Sequence, residues 1–167
     1  MSELDNPGEF RRTELAGKYL TFAISEEEYG LPVLKVREII KMMSITKVPQ
    51  APGHVRGVIN LRGKVIPVID VRLKFGFASQ DYTERTCIIV VDVALPSGPV
   101  MMGIIVDQVS EVLSITPEEI EPTPEFGEHV ETSYMKGMAK VKGKVKILLD
   151  LDQVLISNGP VVFPRVA

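Results

Sequence analysis

Short apolar runs separated by turn-forming residues recur along the whole chain, and each run has the length of a β-strand. Clear examples are residues 86–93, 100–109, 135–141 and 144–149. Runs of this length, bounded by glycine, proline and polar residues, are typical of strands. Because the strands do not alternate with long amphipathic helices, the pattern predicts an all-β barrel fold, not a βαβ fold.

One stretch of the chain predicts a hairpin followed by a short helix. Only two residues, Arg62 and Gly63, separate the apolar runs 57–61 and 64–69, and a basic-Gly pair at this spacing favours a two-residue turn. Asp70 follows the second run, where its side chain can cap one or two helical turns.

The chain also repeats itself. Residues 57–70 resemble residues 137–150 at a constant offset, and residues 30–38 resemble residues 103–111 at a slightly shorter one. The difference predicts an insertion in the second copy, for which residues 116–129 are the natural place. Two copies of one small β unit therefore make up the chain. Since a unit of this size has only a marginal core, we expect the two to pack against each other.

Four longer blocks carry a resemblance to a known family. Residues 28–39, 58–63, 65–73 and 103–113 stand in the order and at the spacing that resemble CheW, the chemotaxis coupling protein family. The resemblance covers about residues 18–155. It implies an all-β fold of two SH3-like five-stranded β-barrels packed side by side, with short helical turns.

The resemblance and the repeat together predict how the chain is divided. We expect a flexible N-terminal tail (1–17), a CheW-like domain (18–155) and a C-terminal tail (156–167). Within the domain, the two barrel subdomains are expected at about 30–80 and 86–155, with the first strand, 18–24, exchanging between barrels or completing one.

The function that the resemblance implies is that of a non-catalytic adaptor. It would couple methyl-accepting chemoreceptors, at their cytoplasmic tip, to the regulatory domain of the histidine kinase CheA within signalling arrays. The positions that match the family's receptor-contact region are Val36, Glu38, Gly57 and Arg62, and Glu38 is expected close to Arg62. The kinase-contact residues stay unassigned. We expect a monomer in isolation, with assembly into rings in arrays as an option.

Composition supports this picture. The net charge is -3 and the pI about 5.5, which argues against nucleic acid as the main partner. Cys87 is the only cysteine, so no internal disulfide can form, and this fits a reducing compartment. Because no apolar run approaches the roughly 20 residues that span a bilayer, we expect a cytoplasmic protein without membrane insertion, recruited to receptor arrays through its partners.

Candidate chemistry is sparse. The sequence has none of the common phosphate-binding or nucleophile motifs, and His54 and His129 lack metal-ligand spacing. We therefore expect no cofactor, no metal and no enzyme activity. The runner-up is a hydrolase that uses a carboxylate pair, Asp92 or Asp107. Cys87 is expected to be a buried thiol without a chemical role.

The four candidate contact residues also have plainer interpretations. Arg62 can be a solvated turn residue, as Lys142 is at the matching position of the second copy. Val36 can belong to the core, and Gly57 can serve a backbone requirement. Other functions remain open as well: a scaffold for a related chemosensory-type kinase system, or a peptide-binding β-barrel module.

Overall fold

The computed structural model describes residues 11–78, 81–124 and 133–156. The strands are β1 (Gly17–Ile24), β2 (Glu27–Pro32), β3 (Val36–Lys41), β4 (Val55–Leu61), β5 (Lys64–Asp70), β6 (Cys87–Leu95), β7 (Gly98–Val106), β8 (Gln108–Ile115), β9 (Ile120–Glu121), β10 (Met135–Val141) and β11 (Lys144–Leu149). The helices are α1 (Arg12–Leu15), α2 (Val71–Lys74) and α3 (Leu151–Ile156), with 3-10 turns at Val33–Lys35 and Pro117–Glu119. The predicted all-β fold with short helical turns is confirmed.

The strands form two sheets, and each sheet closes on itself. One has the order β3-β6-β7-β5-β4, and the other has the order β8-β1-β2-β11-β10-β9. In the first, the outer strands meet where Thr46, beyond the end of β3, bridges to Val58 of β4. In the second, the two-residue strand β9 continues from β8 and pairs with β10. Closure leaves two small barrels, here called the five-stranded and the six-stranded barrel.

The barrels do not follow the expected division at 30–80 and 86–155. The five-stranded barrel contains the continuous segment 36–106, and the six-stranded barrel contains residues 17–32 and 108–149. The reason is an exchange of hairpins between the two copies of the repeat. β1 and β2 of the first copy pair with strands of the second copy, and β6 and β7 of the second copy pair with strands of the first. The first strand does exchange, but β2 exchanges with it.

Matching positions of the repeat take matching places in the two barrels. Val68 of β5 pairs in parallel with Gly103 of β7, and Leu148 of β11 pairs in the same way with Gly30 of β2. A Cβ atom on Gly30 would lie 3.1 Å from Leu148 Cδ2, and one on Gly103 would lie 2.8 Å from Ile88 Cγ2. Both glycines therefore allow a close approach inside the barrel. The predicted duplication is confirmed by this register.

The largest hydrophobic cluster is shared between the barrels. It combines Phe22 and Leu31 of the six-stranded barrel with Ile89 and Val91 of the five-stranded one, all fully buried. Smaller clusters lie within each barrel. Because most of the buried apolar surface is common to both, the two barrels stabilise each other, as expected for units whose own cores are marginal.

The short helices follow local sequence signals. The Asp70 side chain accepts a hydrogen bond from Arg72 N (3.0 Å) at the start of α2, and Gly76 follows α2 with a φ of 85°. At the N-terminus, residues 1–10 lie outside the described part, whereas Arg12 starts α1 within the predicted tail and donates from Nε to Ile120 O (2.8 Å). Most of the predicted C-terminal tail also lies outside the described residues. Within the described residues, no helix has the length and apolar character needed to cross a membrane.

Candidate functional site

Closure of the five-stranded barrel brings two of the four candidate residues, Glu38 and Arg62, together. β3 and β4 are the outer strands of its sheet, so in an open sheet they would lie on opposite edges. The bridge between Thr46 and Val58 has two backbone hydrogen bonds of 2.8 and 2.9 Å and joins those edges. The β4–β5 turn therefore comes to lie beside β3, although 24 residues separate Arg62 from Glu38 in the chain.

The turn presents Arg62 in a fixed backbone conformation. Arg62 and Gly63 have φ values of 53° and 85°, as a two-residue turn that follows the twist of a hairpin requires. The Asn60 side chain accepts a hydrogen bond from Gly63 N (2.8 Å) and closes the turn further. A left-handed conformation is costly for most residues, so the surrounding hairpin must determine it. The predicted tight hairpin is confirmed.

The Arg62 guanidinium binds the Glu38 carboxylate with two nitrogens. Nη2 donates to Oε1, and Nη1 donates to Oε2 at 3.4 Å. The two side chains thus lie close together, as the resemblance implies. The Arg62 side chain is 70% exposed and Glu38 33%. The hydrogen bond to Glu38, followed by its charge, raises the pKa of Arg62. The pair therefore presents an oriented guanidinium group on the surface, and the N–H groups that do not bind Glu38 are available to a partner.

Val36 lies at the start of β3, next to an irregularity in the strand. It is half-buried and packs against the shared core. The pairing register with β6 shifts between Val36 and Glu38, so Arg37 is the extra residue of a β-bulge. The Arg37 Nε atom lies 2.8 Å from Asp92 Oδ2. Further along β3, the side chain of Ile39 is 46% exposed. Val36 therefore combines the core position of its plainer interpretation with a partly exposed surface.

Gly57 serves the backbone. It is buried and has a φ of 140°, which side-chain-bearing residues rarely adopt. A Cβ atom there would lie 2.0 Å from the carbonyl oxygen of Thr46. Gly57 thus permits the bridge that joins the outer strands. It supports a contact surface at Glu38 and Arg62 only indirectly, because that bridge closes the barrel.

The other candidate groups do not form a chemical site. Asp92 pairs with Arg37, and Asp107 pairs with Arg72 (3.2 Å). In the β6–β7 register, Asp92 is opposite Met101, and Asp107 lies six residues further along, just beyond the end of β7, so roughly 20 Å of chain separates the two positions. A hydrolytic carboxylate pair is therefore not formed.

Cys87 and His54 are the remaining candidates among the described residues, and both are partly buried. Cys87 is half-buried, not fully buried as expected, and burial raises the pKa of its thiol. Burial, followed by the charge of Lys74, lowers the pKa of His54. His129 lies outside the described residues. Among the residues that are described, no group of three or more histidine, cysteine or acidic side chains could hold a metal ion.

A buried ionic contact between the barrels was not predicted from the sequence. Asp70 and Arg72 are almost fully buried, and the Arg72 guanidinium donates to Asp70 Oδ2 (2.9 Å) and Asp107 Oδ1 (3.2 Å). Asp107 is the single residue between β7 and β8, where the chain passes from one barrel to the other. Its Oδ2 atom accepts a hydrogen bond from Ser25 N (2.6 Å) in the six-stranded barrel.

A second contact lies at the other passage of the chain between the barrels. The Lys35 ammonium donates to both oxygens of Asp152 in α3 (2.9 and 3.0 Å), and Ala94 N donates to Oδ1 (3.0 Å). Partial burial alone would raise the pKa of Asp152, but the bond from Ala94 and the ammonium of Lys35 together hold that pKa below its ordinary value. We call the two contacts the Arg72 clamp and the Lys35 clamp. Aligning the two copies could have indicated them, because Arg72 and Asp152 stand at equivalent positions after the capping aspartates.

Comparison with known proteins gives a consistent result. The family profile described as "CheW-like domain" matches residues 18–158. The chain is 38% identical to the chemotaxis protein CheW of Klebsiella aerogenes, over 93% of this chain and 94% of that one. It is 34% identical to the chemotaxis protein CheW of Rhizobium meliloti, over 83% of this chain and 87% of that one.

A solved structure is similar over nearly the same span. The crystal structure of the scaffolding protein TtCheW from Thermoanaerobacter tengcongensis matches with a TM-score of 0.74 and 38% sequence identity. The match covers 86% of this chain and 95% of that one. At this identity the likeness extends to the sequence as well as to the two-barrel fold.

Proposed function

Because this chain belongs to the CheW-like domain family, we propose that it couples chemoreceptors to the histidine kinase CheA in chemotaxis signalling arrays. The protein is a chemotaxis scaffolding protein, and its family acts without catalysis. Its partners are therefore other components of chemotaxis signalling. The finer proposal is that the cytoplasmic tip of a chemoreceptor binds the surface around Val36, Glu38 and Arg62, and that another surface binds the regulatory domain of CheA in the cytoplasm.

The Glu38–Arg62 pair is the observation that carries the receptor proposal. Its cation is exposed, its carboxylate is only partly exposed, and both are fixed by a closed barrel and a tight turn. Half-buried Val36 and exposed Ile39 provide apolar surface on the same strand. An amphipathic helix can bind such a surface by laying apolar side chains against it while polar groups meet the guanidinium.

Reversal of the charge at Arg62 tests this placement. We expect Arg62→Glu to weaken binding of a receptor-tip fragment at least about tenfold, because it removes a fixed cation and sets two carboxylates side by side. The matched control is Lys142→Glu, which makes the same change of sign at the equivalent turn of the other barrel, where φ is 52°. Isothermal titration calorimetry measures both. Unchanged receptor affinity in folded Arg62→Glu protein would place the receptor contact elsewhere.

The coupling role is tested by kinase activity. Autophosphorylation of CheA is measured with receptor-containing membranes, with and without this protein. A large receptor-dependent increase that requires the protein supports coupling. Sedimentation of the protein alone checks the accompanying proposal that it is monomeric outside arrays. If receptor binding is intact but CheA activity does not change, the chain serves a related chemosensory-type kinase, and if neither partner binds, a peptide-binding module is favoured.

A further inference from the structure

The geometry points to Lys35 and Asp152 as a positioning pair that holds the start of β3, and with it Val36 and Glu38, in the conformation that binds the receptor. This inference rests on the proposed receptor surface. It concerns two residues that make no part of that surface, and it assigns to an ion pair between the barrels a role in presenting a strand to a partner.

Asp152 is attached to a rigid part of the molecule. Asp152 belongs to α3, whose Leu151 and Val154 are buried in the shared core. The helix is fixed further by Asp150, whose Oδ1 atom accepts a hydrogen bond from Gln153 N (3.3 Å). The Asp152 carboxylate is therefore carried by a helix that packs in the core, not by a mobile surface segment.

The Asp152 carboxylate binds groups from two other elements. It accepts two hydrogen bonds from the Lys35 ammonium and one from the backbone of Ala94 in β6. β6 is the strand on which β3 pairs, with Val36 opposite Val91. One carboxylate thus joins three elements: the 3-10 turn before β3, the strand beside β3, and the helix that follows the six-stranded barrel. Both Lys35 and Asp152 have side chains only 27% exposed, so solvent competes only in part.

The pair compensates for weak backbone pairing at the start of β3. Val36 directly follows Lys35, and the pairing of β3 with β6 is interrupted immediately after Val36 by the bulge at Arg37. A strand entry interrupted by a bulge has fewer regular backbone bonds to fix its direction. Side-chain ion pairs replace them: Lys35 to Asp152, Arg37 to Asp92, and Glu38 to Arg62. The Lys35 pair is the most enclosed of the three and fixes the residue before Val36.

The test compares Lys35→Met, Lys35→Arg and a matched control. Lys35→Met keeps the aliphatic stem and removes the charge, and we expect it to weaken binding of the receptor-tip fragment about three- to tenfold. Lys35→Arg keeps both charge and reach, so it should restore most of that affinity. The control is Glu28→Gln, which removes one partner of another partly buried pair, Glu28–Lys146 (2.5 Å), in the six-stranded barrel. It should leave receptor affinity unchanged per folded molecule.

A readout without receptor separates this inference from the proposed function. Amide chemical shifts of Val36 and Glu38 are measured in the free protein, together with the folded fraction. The inference predicts that Asp152→Asn, which leaves the chain neighbours of Val36 and Glu38 unchanged, displaces both resonances and that Glu28→Gln displaces neither. If either Lys35→Met or Asp152→Asn unfolds the protein, the other replaces it in both measurements, and for Lys35→Met only the Glu38 resonance is used, because Val36 is next to the substitution.

The outcomes are distinct. Displaced resonances together with weaker binding support the inference. Unchanged resonances and unchanged affinity in a wild-type protein that does bind receptor would overturn it and leave the proposed function intact. If the wild-type protein binds no receptor fragment, the proposed function fails, and the shifts alone then decide whether the pair holds β3.

Discussion

The two barrels contain the same hairpin, yet they use its turn differently. Arg62-Gly63 and Lys142-Gly143 have nearly the same backbone, with φ values of 53° and 85° in one turn and 52° and 77° in the other. Arg62 forms an ion pair with Glu38 on the neighbouring edge. Among the described residues, Lys142 forms no ion pair, and Glu111, the counterpart of Glu38, is exposed. The two copies therefore share the turn but not the ion pair with a glutamate on the neighbouring strand.

The two copies of the repeat therefore share their turn backbone but not the side-chain contacts made by the turn. Both turns need a residue that accepts a left-handed conformation, and this requirement is identical in the two barrels. What closes each barrel differs. Thr46 bridges to β4 in the five-stranded barrel, whereas the two-residue strand β9 pairs with β10 in the six-stranded one. The insertion that carries β9 makes the surface beside Lys142 different from the surface beside Arg62.

The two clamps also share a backbone position but differ in the charge of the side chain there. Arg72 and Asp152 occupy equivalent positions, two residues after a capping aspartate, and each contacts a residue where the chain passes between barrels. The contacted residues, Asp107 and Lys35, carry the complementary signs. The Arg72 clamp is more deeply buried: the Arg72 side chain is 3% exposed, against 27% for Lys35. The two barrels are therefore in contact at two related points of unequal burial.

The largest expected effect breaks the deeper clamp. Arg72→Met leaves the fully buried Asp70 carboxylate without its main partner, so the free energy of unfolding should fall by about 3–5 kcal/mol. Lys35→Met, at the more accessible clamp, should cost about 1 kcal/mol or less. Urea denaturation measures both. Equal losses at the two clamps would show that burial does not distinguish them.

Two glycines of the same hairpin differ in what they require. Gly57 has a steric requirement, and Gly63 has only a conformational one, so alanine substitutions should destabilise the protein to different extents. Gly57→Ala places a Cβ atom 2.0 Å from Thr46 O at a φ of 140°, so a loss of about 3 kcal/mol or more is expected. Gly63→Ala has a positive φ of 85° but nothing within 4 Å of its Cβ atom, and it should cost only about 1–2 kcal/mol. Thermal unfolding of both variants tests the difference. If Gly57→Ala is as mild as Gly63→Ala, the bridge at Thr46 does not constrain Gly57.

The sequence predicted the local features well because each depends on neighbouring residues. The Arg62-Gly63 turn, the cap at Asp70 and the final two strands all follow from short-range patterns. The duplication was visible for the same reason, since matching blocks need only be aligned. The expected boundary between residues 80 and 86 failed because the exchange of hairpins is a long-range choice. Two copies with similar edges can pair within a copy or between copies, and no local pattern distinguishes these.

The candidate site was predictable only through the resemblance to a family. Arg62 and Lys142 have the same local sequence pattern, so the residues alone favour a solvated turn for both. The contact with Glu38 depends on closure of the barrel through Thr46, which lies far from both in the chain. The clamps were missed because Lys35 and Asp152 are separated by 117 positions, and a charge in a short helix usually indicates exposure.

The stability contributed by the Lys35 clamp should depend on pH. The pKa of Asp152 is below its ordinary value in the folded protein, so its contribution to stability is present above the ordinary carboxyl pKa and is lost as pH falls through the folded one. Asp152→Asn should therefore lower the free energy of unfolding by about 1 kcal/mol or less near neutral pH. The two proteins should become equal in stability well below about pH 4. A difference that does not change with pH would mean that the carboxylate charge does not contribute.

The smallest effect addresses the two turns directly. Arg62→Ala removes an exposed ion pair, and Lys142→Ala removes a side chain that has no ion pair among the described residues, so each should change the denaturation midpoint only slightly. Their double mutants with Glu38→Ala separate the cases. A small but measurable coupling between Arg62 and Glu38 is expected, and none between Lys142 and Glu38. Denaturation midpoints of the wild type, the three single variants and the two double variants provide the two cycles. If Arg62 proves important for receptor binding while its coupling to stability stays this small, the pair exists to orient a contact, because stability alone would not retain it. If the coupling is instead as large as the effect of breaking the Arg72 clamp, the pair mainly stabilises the joined edges of the barrel, and the two turns differ in their structural role.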